Sequence, residues 1–182
     1  MNGKLKATVA VVRSYGNPHV AKQVRALLGF GIGRVVVVTD ATKDKGSTRA
    51  WLDELTVEPG TVHLIEMLEG YSWANALNIA LKSIQMANMN RRFARKTEFR
   101  FVFPVSVEAQ FTREHLEAML DQLTDDPSIG VVGTSFEGRM EGNLVSLGRS
   151  YRHPRNTGMM ICLEALGALF CGFDAWCDSA GG

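Results

Sequence analysis

Phe101-Val102-Phe103-Pro104-Val105-Ser106-Val107-Glu108 is an apolar run that ends in a hydroxyl and a carboxylate. A helical pattern, Thr112 to Leu123, follows it. A buried strand that turns polar just ahead of a helix is where open α/β sheets hold ligands, outside the carboxyl ends of their strands. Two acids one residue apart would make a metal site there. Here the pair is Ser106 and Glu108, one hydroxyl and one carboxylate.

The same pattern recurs on the amino-terminal side. Ala7 to Val12 and Val35 to Thr39 are β-branched runs that read as strands buried on both faces. Val62 to Met67 reads as a third strand, Phe99 to Val105 as a fourth and Ile129 to Thr134 as a fifth. Between them, Pro18 to Phe30 carries Val20, Val24, Leu27 and Leu28 on one face, which predicts a helix opened by Pro18. Thr48 to Leu55, Ser72 to Ala87 and Thr112 to Leu123 read as further helices. Asp40 to Ser47 reads as polar loop. Strands that alternate with helices imply crossover connections, a mostly parallel sheet and a three-layer α/β/α sandwich. The loops to inspect for a site are 14–17, 40–47, 69–72 and 106–110.

Length and composition agree with one such domain. The chain has 182 residues, 46% hydrophobic and 21% charged. Its net charge of +1 supplies no field to draw the whole chain to nucleic acid or to a membrane surface. The start, Met1 to Lys6, has no long apolar core, and Gly158 to Phe173 is too short to span a bilayer and carries Glu164. That stretch reads as a buried apolar helix, and the expectation is a cytoplasmic protein with no transmembrane segment. Cys162, Cys171 and Cys177 show no C-x-x-C spacing and read as reduced thiols.

Several motifs carry no chemistry. Gly29, Gly31 and Gly33 follow a helix and precede a strand, the reverse of a dinucleotide fingerprint, and read as a helix cap and turn. His19, His63, His115 and His153 are scattered and read as structural. Arg91, Arg92, Arg95 and Lys96 form a basic patch in a helix-to-strand loop, either a solvated face or a seat for an acidic or phosphate partner. Asp40 closes the run Val35 to Thr39. A carboxylate at that strand end can accept hydrogen bonds from a nucleobase or a ribose, or simply cap the loop.

Taken in order, these segments resemble the nucleotide-sugar-binding half of the GT-A glycosyltransferases, family 2 in particular. Val9 to Asn17 resembles the family's first strand and nucleoside loop. Val35 to Asp44 resembles its second strand, with Asp40 on the second acid of the family's acidic pair. Ser72-Trp73-Ala74-Asn75-Ala76-Leu77-Asn78 resembles the start of its donor-side helix, though Ser72 replaces the frequent basic residue. Phe101 to Leu116 resembles the strand, metal motif and helix that follow, which sets Ser106-Val107-Glu108 on the Asp-x-Asp. Gly172-Phe173-Asp174 resembles the end of a later helix.

The resemblance implies a single GT-A-like domain. A nucleotide-binding half spans residues 1–110 and an incomplete acceptor half 111–182. It implies a nucleotide diphosphate sugar as donor and transfer to an acceptor hydroxyl with inversion. Ser14, Tyr15, Asp40, Ser72, Asn75 and Ser106 would line the nucleotide, and Glu108 with Ser106 would face Mn²⁺ or Mg²⁺. A lost acid weakens such a metal site. The family's general base is an acid beyond the last matched helix; the nearest ones here are Asp174 and Asp178. Three alternatives stay open. One is a catalytically impaired GT-A-like domain that only binds a nucleotide. Another is an interaction domain that dimerises through the apolar helix. The third is a nucleotidyltransferase, for which Arg13 to Asn17 is a poor match to the basic, Gly-rich loop.

Overall fold

The computed structural model describes residues 3–68, 72–133 and 158–168, and these form six strands and seven helices. In chain order they are α1 (Gly3–Lys6), β1 (Thr8–Arg13), α2 (Val20–Phe30), β2 (Arg34–Asp40), α3 (Ala41–Asp44) and α4 (Ser47–Asp53). Then come β3 (Val62–Met67), α5 (Trp73–Phe93), β4 (Phe101–Ser106), α6 (Arg113–Asp125), β5 (Val131–Gly133), β6 (Met159–Cys162) and α7 (Leu163–Ala168). The sheet order is β3-β2-β1-β4-β6-β5. β1 pairs in parallel with β2 and β4, β2 in parallel with β3, and β6 runs antiparallel to both β4 and β5.

Strand alternation sorts the core into two layers. Ala10, Val12, Val35, Val37, Phe101, Phe103 and Val105 face α2 and α6, where Val24, Leu27, Leu116 and Leu120 meet them. Val9, Val11, Val36, Val38 and Val102 face α5, under Ala76, Leu77, Ala80 and Ile84. The expected three-layer sandwich with a mostly parallel sheet is therefore what forms.

Local chemistry fixes the ends. Gly31 (φ 100°) closes α2, its N–H donating to the carbonyls of Leu27 and Leu28. Gly29 lies within the helix, so only part of the glycine run is a cap. Thr112 caps α6 in a capping box with His115, so that histidine is structural.

Four expectations need correction. Gly158 to Phe173 is not one helix: Met159, Met160 and Ile161 are buried in β6, between β4 and β5. The apolar residues read as an interface are consumed by the sheet, and only α7 remains of the expected dimer helix among the described residues. The loop 40–47 contains α3, nucleated by its cap. α5 runs on to Phe93, so Arg91 and Arg92 sit in its last turn, ahead of the loop. Arg92 pairs with Glu98 at 2.8 Å. Among the described residues, no helix is long and apolar enough to cross a membrane. Cys162 carries no disulfide, and Cys171, Cys177, His153, Asp174 and Asp178 lie outside the described residues.

Gly33 is where α1 and β2 meet most closely. Its N–H donates to the carbonyls of Leu5 and Thr8, both at 3.1 Å, and a Cβ there would lie 2.0 Å from the Lys6 carbonyl oxygen. Backbone cannot retreat as a side chain can. Gly33→Ala is expected to destabilise the chain by roughly 1–3 kcal/mol, read as a fall in the thermal midpoint of about 2–4 °C per kcal/mol.

Candidate nucleotide site at the carboxyl edge of the sheet

Strand order reverses between β1 and β4, so their carboxyl ends flank the crevice where open α/β sheets bind ligands. The register aligns three strand ends there: Arg13 of β1 is level with Val38 of β2 on one side and Ser106 of β4 on the other. Three loops rise from this line.

The first loop is a tight turn. The Asn17 N–H donates to the Ser14 carbonyl at 2.9 Å, and the two residues between, Tyr15 (φ 51°) and Gly16 (φ 70°), are both left-handed. That geometry suits glycine and strains tyrosine. Tyr15 is half-exposed, and the Arg13 guanidinium lies 3.6 Å from its ring centroid. The Asn17 side chain accepts from the His19 N–H at 2.9 Å, which leads the chain into α2. Ser14 lies beneath, 1% exposed, its hydroxyl bonded to the Thr48 hydroxyl at 2.5 Å.

The second loop begins at Asp40. Its Oδ1 accepts from the Thr42 hydroxyl at 2.6 Å, the Thr42 N–H at 3.0 Å and the Lys43 N–H at 3.3 Å, which caps α3. The Thr42 hydroxyl bond first, then the two backbone N–H groups and the Lys43 charge, hold its carboxyl below the usual carboxylate range against the opposing effect of burial. Its Oδ2 is buried and has no hydrogen-bond partner among the described residues. Asp44, at the end of α3, is buried with both oxygens engaged: Oδ2 accepts from the Thr39 hydroxyl at 3.0 Å and Oδ1 from the Thr48 N–H at 2.9 Å.

The third loop carries Ser106 and Glu108. The Glu108 N–H donates to the Ser106 hydroxyl at 3.2 Å, and the Asn17 amide donates to Glu108 Oε1 at 3.3 Å. The first and third loops are thus joined across the crevice. Glu108 is exposed and Ser106 half-buried. On the α5 face, Ser72 caps α5 by accepting from the Asn75 N–H at 3.1 Å, while the Asn75 side chain is exposed, away from the buried stripe. Ser14, Tyr15, Asp40, Ser106 and Glu108 therefore share the carboxyl edge, and Ser72 with Asn75 stand at the start of α5. Arg13, Asn17, Asp44 and Thr48 belong to the same edge without having been singled out from the sequence. Only Arg13 carried a signal, a basic residue closing a β-branched strand.

No family model and no curated protein sequence matches the chain. Solved structures do. One is a mannosyltransferase from Pyrobaculum calidifontis in complex with GDP-mannose and Mn²⁺, at 21% identity and TM-score 0.63, covering 92% of this chain. The fold is that of the nucleotide-sugar transferases. The chain spans 47% of that mannosyltransferase's length. A second similar structure is a 4-diphosphocytidyl-2C-methyl-D-erythritol synthase, at 12% identity and TM-score 0.54, covering 91% of this chain and 79% of its own.

Metal donors at the edge are few. Among the described residues no three His, Cys, Asp or Glu side chains gather as a metal cluster. Glu108 and Ser106 offer one carboxylate and one hydroxyl. That set suits a hard cation held jointly with the phosphates of a bound nucleotide, since Mg²⁺ is commonly bound through one or two carboxylates plus substrate oxygens.

Because the Asp40 carboxyl ionises below its ordinary value, its contribution to stability is complete above the unfolded carboxylate pKa and is lost as pH falls through the folded one. The difference in denaturation midpoint between the wild type and Asp40→Asn is expected to stay level from neutral pH down to about pH 5 and to shrink below about pH 4. Urea titrations at a series of pH values read it.

Proposed function

We propose that this chain is a GT-A-like glycosyltransferase domain, of family 2 type, that binds a nucleotide diphosphate sugar at the carboxyl edge of β1, β2 and β4. The supporting observation is Asp40. A buried carboxylate oxygen without a hydrogen-bond partner is costly unless something donates to it. A nucleobase N–H is such a donor, and Asp40 stands at a strand end beside the topological switch point.

The proposed roles follow from position. Asp40 accepts from the base. Tyr15, on the turn anchored by Ser14, lies along the nucleoside. Ser106 faces the ribose, and Ser72 and Asn75 flank the nucleotide from the start of α5. Arg13, level with Ser106, lends positive charge to the diphosphate. Glu108, oriented by Asn17, would hold Mn²⁺ or Mg²⁺, which when bound neutralises the leaving diphosphate. Residues 1–110 then form the donor half, and 111–182 lie on the acceptor side. Transfer with inversion needs a general base for the acceptor hydroxyl, for which Asp174 and Asp178 are the proposed candidates.

Thermal unfolding against a panel of nucleotide diphosphates and their sugars tests the donor site. A ligand at 100 times its Kd adds about 2.7 kcal/mol, which for a chain of this size moves the midpoint by about 2–4 °C for each kcal/mol. One nucleotide is expected to give such a shift, and Asp40→Asn to weaken its binding about tenfold or more, the scale of one hydrogen bond to a charged group. No shift with any member of the panel would refute the reading. Glu108→Gln is expected to abolish any Mn²⁺-dependent part of the shift and leave the metal-independent part. Binding without sugar transfer to any acceptor would identify an impaired, nucleotide-binding form of the fold.

A further inference from the structure

Two arginines, Arg34 and Arg91, lie near one another on the α5 side of the sheet, and among the described residues neither forms an ion pair. Arg34 opens β2 and, by strand alternation, points to the same side as Val36 and Val38, beneath α5. The buried stripe of α5 runs Ala76, Ala80, Ile84 and Ala87. Its next step along the helix is Arg91, four residues on, so Arg91 continues the helix face that covers this side of the sheet.

His63 completes the cluster. It is level with Val36 across the β2–β3 ladder, hence on the same side as Arg34 and one step further up the sheet. Arg91 is braced, its guanidinium 4.3 Å from the Phe99 ring centroid and its Nε donating to the Thr97 carbonyl. Arg34 is not braced. It is half-buried, and its Nε is buried with no hydrogen-bond partner among the described residues.

The ion pairs among the described residues are Lys4–Asp121, Arg49–Glu66, Arg92–Glu98 and Arg113–Glu117, and none uses Arg34 or Arg91. The electrostatics agree with the geometry. Burial first and the Arg91 charge second lower the Arg34 pKa; burial first and the Arg34 charge second lower that of His63. The charges that act on Arg34 and His63 in these shifts are both basic.

We propose that Arg34, His63 and Arg91 form a binding site for a phosphate group at the amino edge of the sheet. Two guanidinium forks and an imidazole N–H match the oxygens of one tetrahedral oxyanion. The site is distinct from the nucleotide edge. β2 separates Arg34 from Asp40 by its full length, about 20 Å at the rise of a β-strand. It therefore takes a second ligand and stands whether or not the donor site is confirmed.

The test uses inorganic phosphate on the whole chain, with chloride at matched ionic strength as the reference, and follows the His63 ring proton by NMR across pH. An anion beside the imidazole favours its charged form, so phosphate is expected to raise the His63 midpoint by about one unit. It is also expected to raise the thermal midpoint. Arg34→Met should lose both responses. Without phosphate it should unfold no earlier than the wild type, because an apolar side chain replaces an uncompensated charge. Arg91→Gln, on the helix, should lose the His63 response independently. An equal His63 midpoint in phosphate and chloride, or an undiminished phosphate response in both variants, would overturn the site.

Discussion

β1 has parallel neighbours on both sides and helices on both faces, and the geometry of the carboxyl edge follows from that position. Val9, Ala10, Val11 and Val12 are all 0% exposed. A fully buried valine contributes roughly 1.5–3 kcal/mol. Three of them outweigh the cost of about 1–3 kcal/mol for one residue held in a sparsely populated backbone region. The strand can therefore carry the left-handed Tyr15 immediately beyond its end. Because β1 fixes the level of β2 and β4 together, loops separated by many residues in the chain emerge side by side.

Asp40 and Asp44 bracket the same short helix and divide its work. Asp44 ties β2 to α4 through Thr39 and Thr48, and Thr48 in turn holds Ser14 under the first loop. This buried polar chain is satisfied at every member described, which is the condition under which such networks rigidify a fold. Asp40 commits one oxygen to its helix, and the other is unmet among the described residues. The acid that braces the fold and the acid with the unmet oxygen are separated by a single turn of helix.

Much of this was legible in the sequence. The runs of β1 and β2 are so rich in valine that only buried parallel strands accommodate them, and Asp40 is conspicuous at the end of one. The order of segments led to the right fold. β6 was not legible. Four apolar residues next to a helical stretch have no period that separates strand from helix. Its antiparallel place between β4 and β5 depends on contacts distant in the chain. α3 was hidden for a different reason: its four residues are held by the Asp40 cap, and polar composition reads as loop. Asn17 reaches Glu108 across 91 positions, and Arg91 lies on α5 only because that helix runs further than its apolar pattern suggests. Such pairings carry no local signature.

The turn after β1 has a consequence for recognition kinetics. A loop that must be organised by its ligand loses conformational freedom at the moment of association, and affinity suffers accordingly. Here the Ser14–Asn17 hydrogen bond, the left-handed pair at Tyr15 and Gly16, and the Arg13 guanidinium over the Tyr15 ring fix the loop beforehand. The aromatic face that Tyr15 offers is in place before anything arrives. Ordering this loop is part of folding the domain, so a group that docks against Tyr15 would pay no loop-closure cost on arrival.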